Sequence, residues 1–382
     1  MRFPEFTDEW KKIRLSDNCN IVMGQSPSSK NYTKNSNDTI LIQGNADLEN
    51  GKIKPRLYTT EITKKSEKGD IILTVRAPVG DLAINEYSVC IGRGVCSIKS
   101  KNNIFIYYIL ENLKRKHIWE RLSQGSTFES INSNDIENIS FYNPSENEQN
   151  KISNFLSLID RKIEYLEKRY IQNNKQFEYY LNMIMEEKLN FSKGNTEWVE
   201  YYIKDITFIP KKDKIKKFTS NDKLLTVKLH TKGIFINNNI KPKLTKKGRP
   251  YYKRYSDELL IGRQNFHNGG IGIVPNELNG GVCSNAISSF CVNKEKVLLK
   301  FLYYYLSRKN YYERCEKYVG GTGQKEFSEK QLLKLKIRIP KLEEQKNIIK
   351  FLDLISNRNK LIKNNLELLK QFKKGLLQKM FV

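Results

Sequence analysis

The sequence predicts an α+β chain built twice over. Two globular domains are separated by two long antiparallel α-helices that pair as a coiled-coil spacer, in a pseudo-twofold internal repeat. Three observations carry this. Pro144, Glu148, Gln149, Ile152, Phe155 and Leu156 recur 196 residues later as Pro340, Glu344, Gln345, Ile348, Phe351 and Leu352. Each string opens a run of apolar residues in steps of mostly three and four, the mark of one helical face. The stretches ahead of them mix β-rich runs with one short amphipathic helix.

In chain order, the first domain is expected over 1–144. Ile71-Ile72-Leu73-Thr74-Val75 follows a polar turn with Asp70 and reads as a buried strand, while Phe105 to Leu113 reads as a tyrosine-rich helix facing the core. Ser145 with Glu148 three residues on has the form of a capping box, and the helix it opens fills a spacer over 145–190. Its apolar stripe runs from Ile152 through Phe155, Ile159, Ile163, Leu166, Tyr170 and Phe177 to Ile184. Phe191-Ser192-Lys193-Gly194-Asn195-Thr196 is the clearest linker, and the division between halves is expected near residue 190.

The second domain, 195–339, restates the first. Trp10, Leu15 and Asp17 reappear as Trp198, Ile203 and Asp205 at an offset of 188, and Gly125-Ser126-Thr127 falls on Gly321-Thr322-Gly323 at 196. Leu259-Leu260-Ile261 follows Asp257 as a strand, and Phe301 to Leu306 is the matching helix. The last spacer, 341–382, reads Ile348, Leu352, Ile355, Ile362, Leu366, Leu369, Phe372, Leu376 and Met380, a near-heptad seam interrupted by polar Asn359. Some 40 residues of helix make a rod of roughly 60 Å. Neither stripe holds in water alone, so the helices are expected to pair antiparallel with the domains at opposite ends; the alternative is that each packs on its own domain.

The 382 residues carry a formal charge of +25, with a pI near 9.6, which favours a polyanionic partner. No apolar run approaches the roughly 18 residues that a membrane span requires, and Met1 to Phe6 has no signal-peptide core, so a cytoplasmic protein is expected. The six cysteines form no C-x-x-C pair and read as reduced core residues; three scattered histidines argue against zinc, and no metal site is expected.

Between Lys204 and Arg254 stand 16 Lys and Arg against Asp205, Asp213 and Asp222, about half of the whole excess. Lys243, Lys246, Lys247, Arg249, Tyr251, Lys253 and Arg254 lie in turn-like basic sequence suited to phosphate contacts. Base edges need bidentate groups, chiefly Arg for guanine and Asn or Gln for adenine. Arg263, Gln264 and Asn265 follow the Leu259 strand, Arg76 follows the Ile71 strand, and Gln43 and Asn45 follow Thr39 to Ile42. For each, base contact and loop support stand as alternatives. Gln25 and Ser26 lie in a Gly24 to Ser29 turn whose amides and hydroxyls suit a phosphate; it lacks the Gly-Lys-Ser/Thr ending of a P-loop. Gly92-Arg93-Gly94 and Gly270-Ile271-Gly272 lack the third glycine of a dinucleotide fingerprint. No Asn/Asp-Pro-Pro-Tyr/Phe methylation motif, acidic nuclease cluster or Ser/His/Asp set stands out, so the chain reads as a binder. A self-contained enzyme and an RNA-binding scaffold are the rival classes.

The parts resemble the DNA-specificity subunit of type I restriction-modification systems over nearly the whole chain. The resemblance is carried by Arg2-Phe3-Pro4-Glu5-Phe6 before Trp10, by Met23-Gly24-Gln25-Ser26-Pro27-Ser28, and by Arg76-Ala77-Pro78-Val79-Gly80-Asp81. Gly125-Ser126-Thr127 before Ile131 and the two Pro-x-x-x-Glu-Gln-x-x-Ile helix starts complete it. It implies two target-recognition domains, each reading half of a bipartite double-stranded DNA target across an unread gap set by the helices. It also implies no activity of the chain's own, two adenine methyltransferase subunits binding S-adenosylmethionine on the spacer, and two restriction subunits using ATP and Mg. The second domain departs from the Arg76 string, reading Gly262-Arg263-Gln264-Asn265, so Arg76 and Arg263 match only to within one residue.

Overall fold

The computed structural model describes residues 1–123, 130–191, 197–238, 248–318 and 326–381. Gly125-Ser126-Thr127, Gly321-Thr322-Gly323, the linker at 192–196 and Lys241 to Lys247 lie outside the described residues. The chain folds as two compact units, Met1–Glu167 with Asn364–Val382, and Lys168–Lys363. Both long helices, Glu146–Met185 and Leu342–Met380, contribute to each unit. The unit boundary therefore falls inside the helices, away from residue 190.

In the first unit an antiparallel sheet runs in the order Leu82–Ile84, Ile71–Thr74, Val95–Ser100, Cys19–Met23. Ile71–Thr74 is buried throughout because both faces of the strand are covered. Ile71 and Leu73 face the main core with Phe105, Ile109 and Leu110 of the helix Asn103–Arg115. Ile72 faces a second cluster with Ile42, Val89 and Ile91. Those belong to a five-stranded sheet in which Thr39–Ile42 runs parallel to Val89–Ile91.

The second unit repeats the order as Ile271–Ile273, Leu259–Gly262, Ile287–Val292, Thr207–Phe208. The alternation repeats as well: Leu259 and Ile261 join the main core, and Leu260 joins Leu225, Ile234 and Cys283. Registers align the two heads residue by residue. Thr74 opposite Val95 corresponds to Gly262 opposite Ile287, and Ser100 opposite Cys19 to Val292 opposite Thr207.

Each head buries the start of one long helix and the end of the other. The first core takes in Ile152, Leu156 and Ile159 together with Leu376, Leu377, Met380 and Phe381. The second takes in Ile348 and Leu352 with Leu181, Ile184 and Met185. Helix-on-domain and helix-on-helix packing thus coexist within each unit. In the first, Lys370 pairs with Glu167, and Lys373 sits 2.8 Å from both Glu111 and Asp160. In the second, buried Asn359 donates to Asn174 Oδ1 at 3.0 Å. The expected tyrosine-rich helices are core elements whose phenols also latch the long helices: Tyr108 donates to Asp160 at 2.7 Å and Tyr304 to Asp353 at 2.6 Å.

The repeated Glu-Gln pair has a long-range role. Glu148, read above as half of a capping box, is fully buried and accepts from Arg2 Nε and Nη2 at 2.7 Å and from Trp10 Nε1 at 3.1 Å. A forked guanidinium outcompetes a local amide for that carboxylate. Gln149 and Gln345 each donate back to the repeated prolines, at 3.0 Å to the Pro144 carbonyl and 2.9 Å to that of Pro340. All six cysteines are free, and Cys90, Cys96, Cys283 and Cys315 are buried. Burial pushes the Cys96 thiol up to about 12.

Candidate nucleic-acid interface

In the first head three segments meet by backbone contact. A Cβ on Gly24 would stand 2.1 Å from the Gly92 carbonyl oxygen, and one on Gly94 2.0 Å from that of Gln43, so only glycine permits the approach. The Gly92-Arg93-Gly94 string is therefore a packing device. Ser26 Oγ donates to Gln43 Oε1 at 3.0 Å and accepts from the Arg93 amide at 3.1 Å. Gln43 Nε2 donates to the Tyr32 hydroxyl at 2.7 Å, so both ends of this carboxamide are engaged inside the protein. The Gln43 and Gly44 amides donate to Asp47 Oδ2, and Arg56 holds Asp47 Oδ1 at 3.0 Å. Ser26 and Gln43 thus brace the junction, while Gln25, Asn45 and Arg76 are exposed around it. Val75 N donates to Gly94 O at 2.9 Å, which fastens Arg76 to the same junction. Arg93, exposed between its two glycines, joins this set. Its only sequence signal was a lone arginine in a glycine-rich turn.

The second head presents a cleft of about 220 Å³ lined by Thr226, Asn237, Tyr251, Arg263, Gln264 and Asn265 over aliphatic walls from Leu225 and Ile287. A short 3-10 turn, Arg263–Asn268, positions the last three, and Gly269 closes it at φ +70 with the Tyr312 ring 3.0 Å from where a Cβ would stand. Asn265 is exposed and Gln264 half-buried. Arg263 pairs through Nη2 with Glu326 at 2.8 Å, and its buried Nε has no hydrogen-bond partner among the described residues. Tyr251 stacks edge-on against Phe218 at 5.1 Å. Thr226 and Asn237 enter through a separate two-stranded ladder, Leu225–Lys228 with Gly233–Ile236, which no local pattern tied to the cleft.

The basic stretch divides. Arg249 and Lys253 are exposed, as are Lys211, Lys214, Lys216 and Lys217 of the same basic stretch. Lys243, Lys246 and Lys247 lie outside the described residues. Arg254, expected among the solvent-facing cations, is instead 4% exposed. It donates to Cys283 Sγ at 3.1 Å and to the Ile287 carbonyl at 3.3 Å, 3.8 Å from Glu258, itself buried. By register this site is the Ser66 position of the first head, where Ser66, Ser97 and Asp70 form a neutral-plus-acid network. Ser289 and Glu258 hold the places of Ser97 and Asp70, at 2.5 Å. Arg254 thus neutralises an interior carboxylate. Burial raises the Cys283 thiol despite this cation beside it.

Among the described residues no group of His, Cys, Asp and Glu could hold a metal ion, and no helix is long and apolar enough to cross a membrane. The duplicated architecture has counterparts in known proteins. One similar protein, assigned as the type I restriction enzyme MjaX specificity subunit of Methanocaldococcus jannaschii, is 35% identical over 191 residues, 48% of this chain and 44% of that one. The chain thus spans under half the length of that relative. The MjaVIII specificity subunit of the same organism is 22% identical over 99% of this chain and 92% of its own. The crystal structure of the type I restriction-modification S subunit from M. genitalium superposes with a TM-score of 0.65 at 18% identity, covering 100% of this chain and 97% of the other, a likeness of fold. The profile of the type I restriction modification DNA specificity domain matches twice, over residues 7–175 and 195–371, one match for each head with its helix. With both of its repeats accounted for in this way, the chain belongs to the type I restriction-modification DNA specificity family.

Proposed function

We propose that this chain is the sequence-reading subunit of a type I restriction-modification complex, each head reading one half of a bipartite duplex target while the DNA between goes unread. The observation that carries this is the repetition of one head architecture in a single chain, with the same sheet order and register but different side chains at the strand ends. A binder of one continuous site has no use for two such heads. The charge of +25 supports a phosphate-rich partner, with Arg249 and Lys253 positioning the second head and Gln25 and Arg93 the first. In this reading helix length sets the gap; a helix of 40 residues is about 60 Å long, against about 34 Å for a DNA turn.

Adenine-N6 methylation and cleavage belong to partner subunits, which would bring S-adenosylmethionine, ATP and Mg. The long helices offer a docking face. Leu158, Tyr165, Leu368 and Phe372 in the first unit, and Ile171, Tyr179, Leu354 and Leu361 in the second, are large, apolar and half or more exposed. Leu158 and Tyr165 within the first unit, and Leu354 and Leu361 within the second, stand seven residues apart, the spacing of a helix seam. Methyltransferase helices are its occupant in this reading. The test is selection of bound DNA from a randomised duplex library by the purified complex of this chain with the methyltransferase subunit. A split motif with a gap of fixed length is expected; a single continuous motif, or none, would overturn the proposal.

A further inference from the structure

We infer that Arg76 and Gln264 occupy the same reading position in the two heads, so that the first head selects guanine there and the second adenine. The inference rests on the bipartite reading above and assigns base classes within it.

One strand pairing and two hydrogen bonds fix the correspondence. Thr74 opposite Val95 matches Gly262 opposite Ile287. One residue on, Val75 N donates to Gly94 O at 2.9 Å and Arg263 N to Ala286 O at 3.1 Å, each acceptor immediately preceding the matched strand residue. From the other side, Ile131 N donates to Val75 O and Phe327 N to Arg263 O, both at 3.0 Å, and residues 131 and 327 are 196 apart, the offset of the repeat. Arg263 therefore stands on Val75, and Gln264 on Arg76.

The side chains follow the backbone. Val75 is buried at 2% exposure, and Arg263 on its place turns its guanidinium to Glu326, which stands where the first head has Ser130. Arg263 is a positioning residue that ties two loops together. Arg76 is exposed, and Gln264 lines the open cleft with Asn265, Thr226 and Asn237. Both sit directly beyond strands whose residues are nearly all buried, so the side chain is presented from a rigid base. The chemistry then separates the heads. Guanine offers two acceptors, O6 and N7, to the paired donors of a guanidinium, whereas adenine offers the N7 acceptor and N6 donor that a carboxamide complements.

The test is library selection with the purified complex of full-length chain and methyltransferase subunit, comparing wild type with Gln264→Arg, Gln264→Ala and Arg76→Gln. Gln264→Arg should convert one adenine to guanine in one half-site, and Arg76→Gln one guanine to adenine in the other, with the gap unchanged. Gln264→Ala should reduce preference at that one base roughly 10- to 100-fold. Should Gln264→Arg fail to assemble, the alanine variant decides. Undiminished preference in Gln264→Ala, or an unchanged guanine in Arg76→Gln, would overturn the inference while leaving a split wild-type motif intact. A wild type without a split motif would instead remove the bipartite reading beneath it.

Discussion

Replacing Arg254 by Met separates a structural cation from a DNA contact. The side chain is 4% exposed, and Glu258, 3.8 Å away, is 3% exposed. Methionine fills much of the volume but leaves the Glu258 carboxylate with Ser289 and no counter-charge in the interior. Breaking a buried pair from one side costs about 3–5 kcal/mol. In a unit of this size that lowers the transition by about 6–20 °C, at roughly 2–4 °C per kcal/mol. Because the chain has two units, hydrogen exchange is the better assay: amides of Leu259–Gly262 should lose protection while those of Ile71–Thr74 keep theirs. The change to Arg254→Ser with Glu258→Asp, which copies Ser66 and Asp70 of the first head, should recover much of the loss. DNA affinity of the folded complex should keep its salt slope. Undiminished protection together with a salt slope shallower by about one would refute the reasoning and return Arg254 to the phosphate-contact set.

Other perturbations follow from the same geometry. Glu148→Ala removes the acceptor of Arg2 and Trp10; with Arg2 partly open to water the loss should be about 2–3 kcal/mol, read as a lower transition of the first unit. Lys373→Met leaves Glu111 and Asp160 facing each other. Burial raises the Glu111 carboxyl above its ordinary value, so folding favours proton binding there, and the variant's deficit should shrink as pH is lowered and be largest on the alkaline side. Changing Asn174 and Asn359 together to Leu should raise thermal stability of the second unit, since Asn359 Oδ1 is buried without a partner among the described residues. Arg249→Ala and Lys253→Ala should each weaken binding to all duplexes alike and reduce the salt slope by about one, leaving the selected sequence unchanged.

What was legible followed from periodicity. Ile71–Thr74 and Leu259–Gly262 read as strands because both faces are covered, which makes the apolar run continuous. The long helices were legible from steps of three and four, and they span Glu146–Met185 and Leu342–Met380. Long-range pairing was not legible. Glu148 and Ser145 form a local capping pattern, but the partner that claims the carboxylate lies 146 residues away at Arg2. Leu376 to Phe381 continue a helical stripe whose packing against Phe105 and Trp10 leaves no local trace. Within the candidate site, Arg254 belonged by composition to a basic run, yet strand alternation turns Lys253 outward and Arg254 inward, where Glu258 waits. Arg76 and Gln264 were both singled out by residue type; their equivalence needed the ladder registers, because the loops after the two strands differ in sequence.

The most direct test of the account is the N6-methyladenine map of host cells expressing the methyltransferase subunit with and without this chain. A split motif with one fixed gap, methylated only when the chain is present, is the predicted result. The same methylation in its absence would contradict the claim that this chain chooses the sequence.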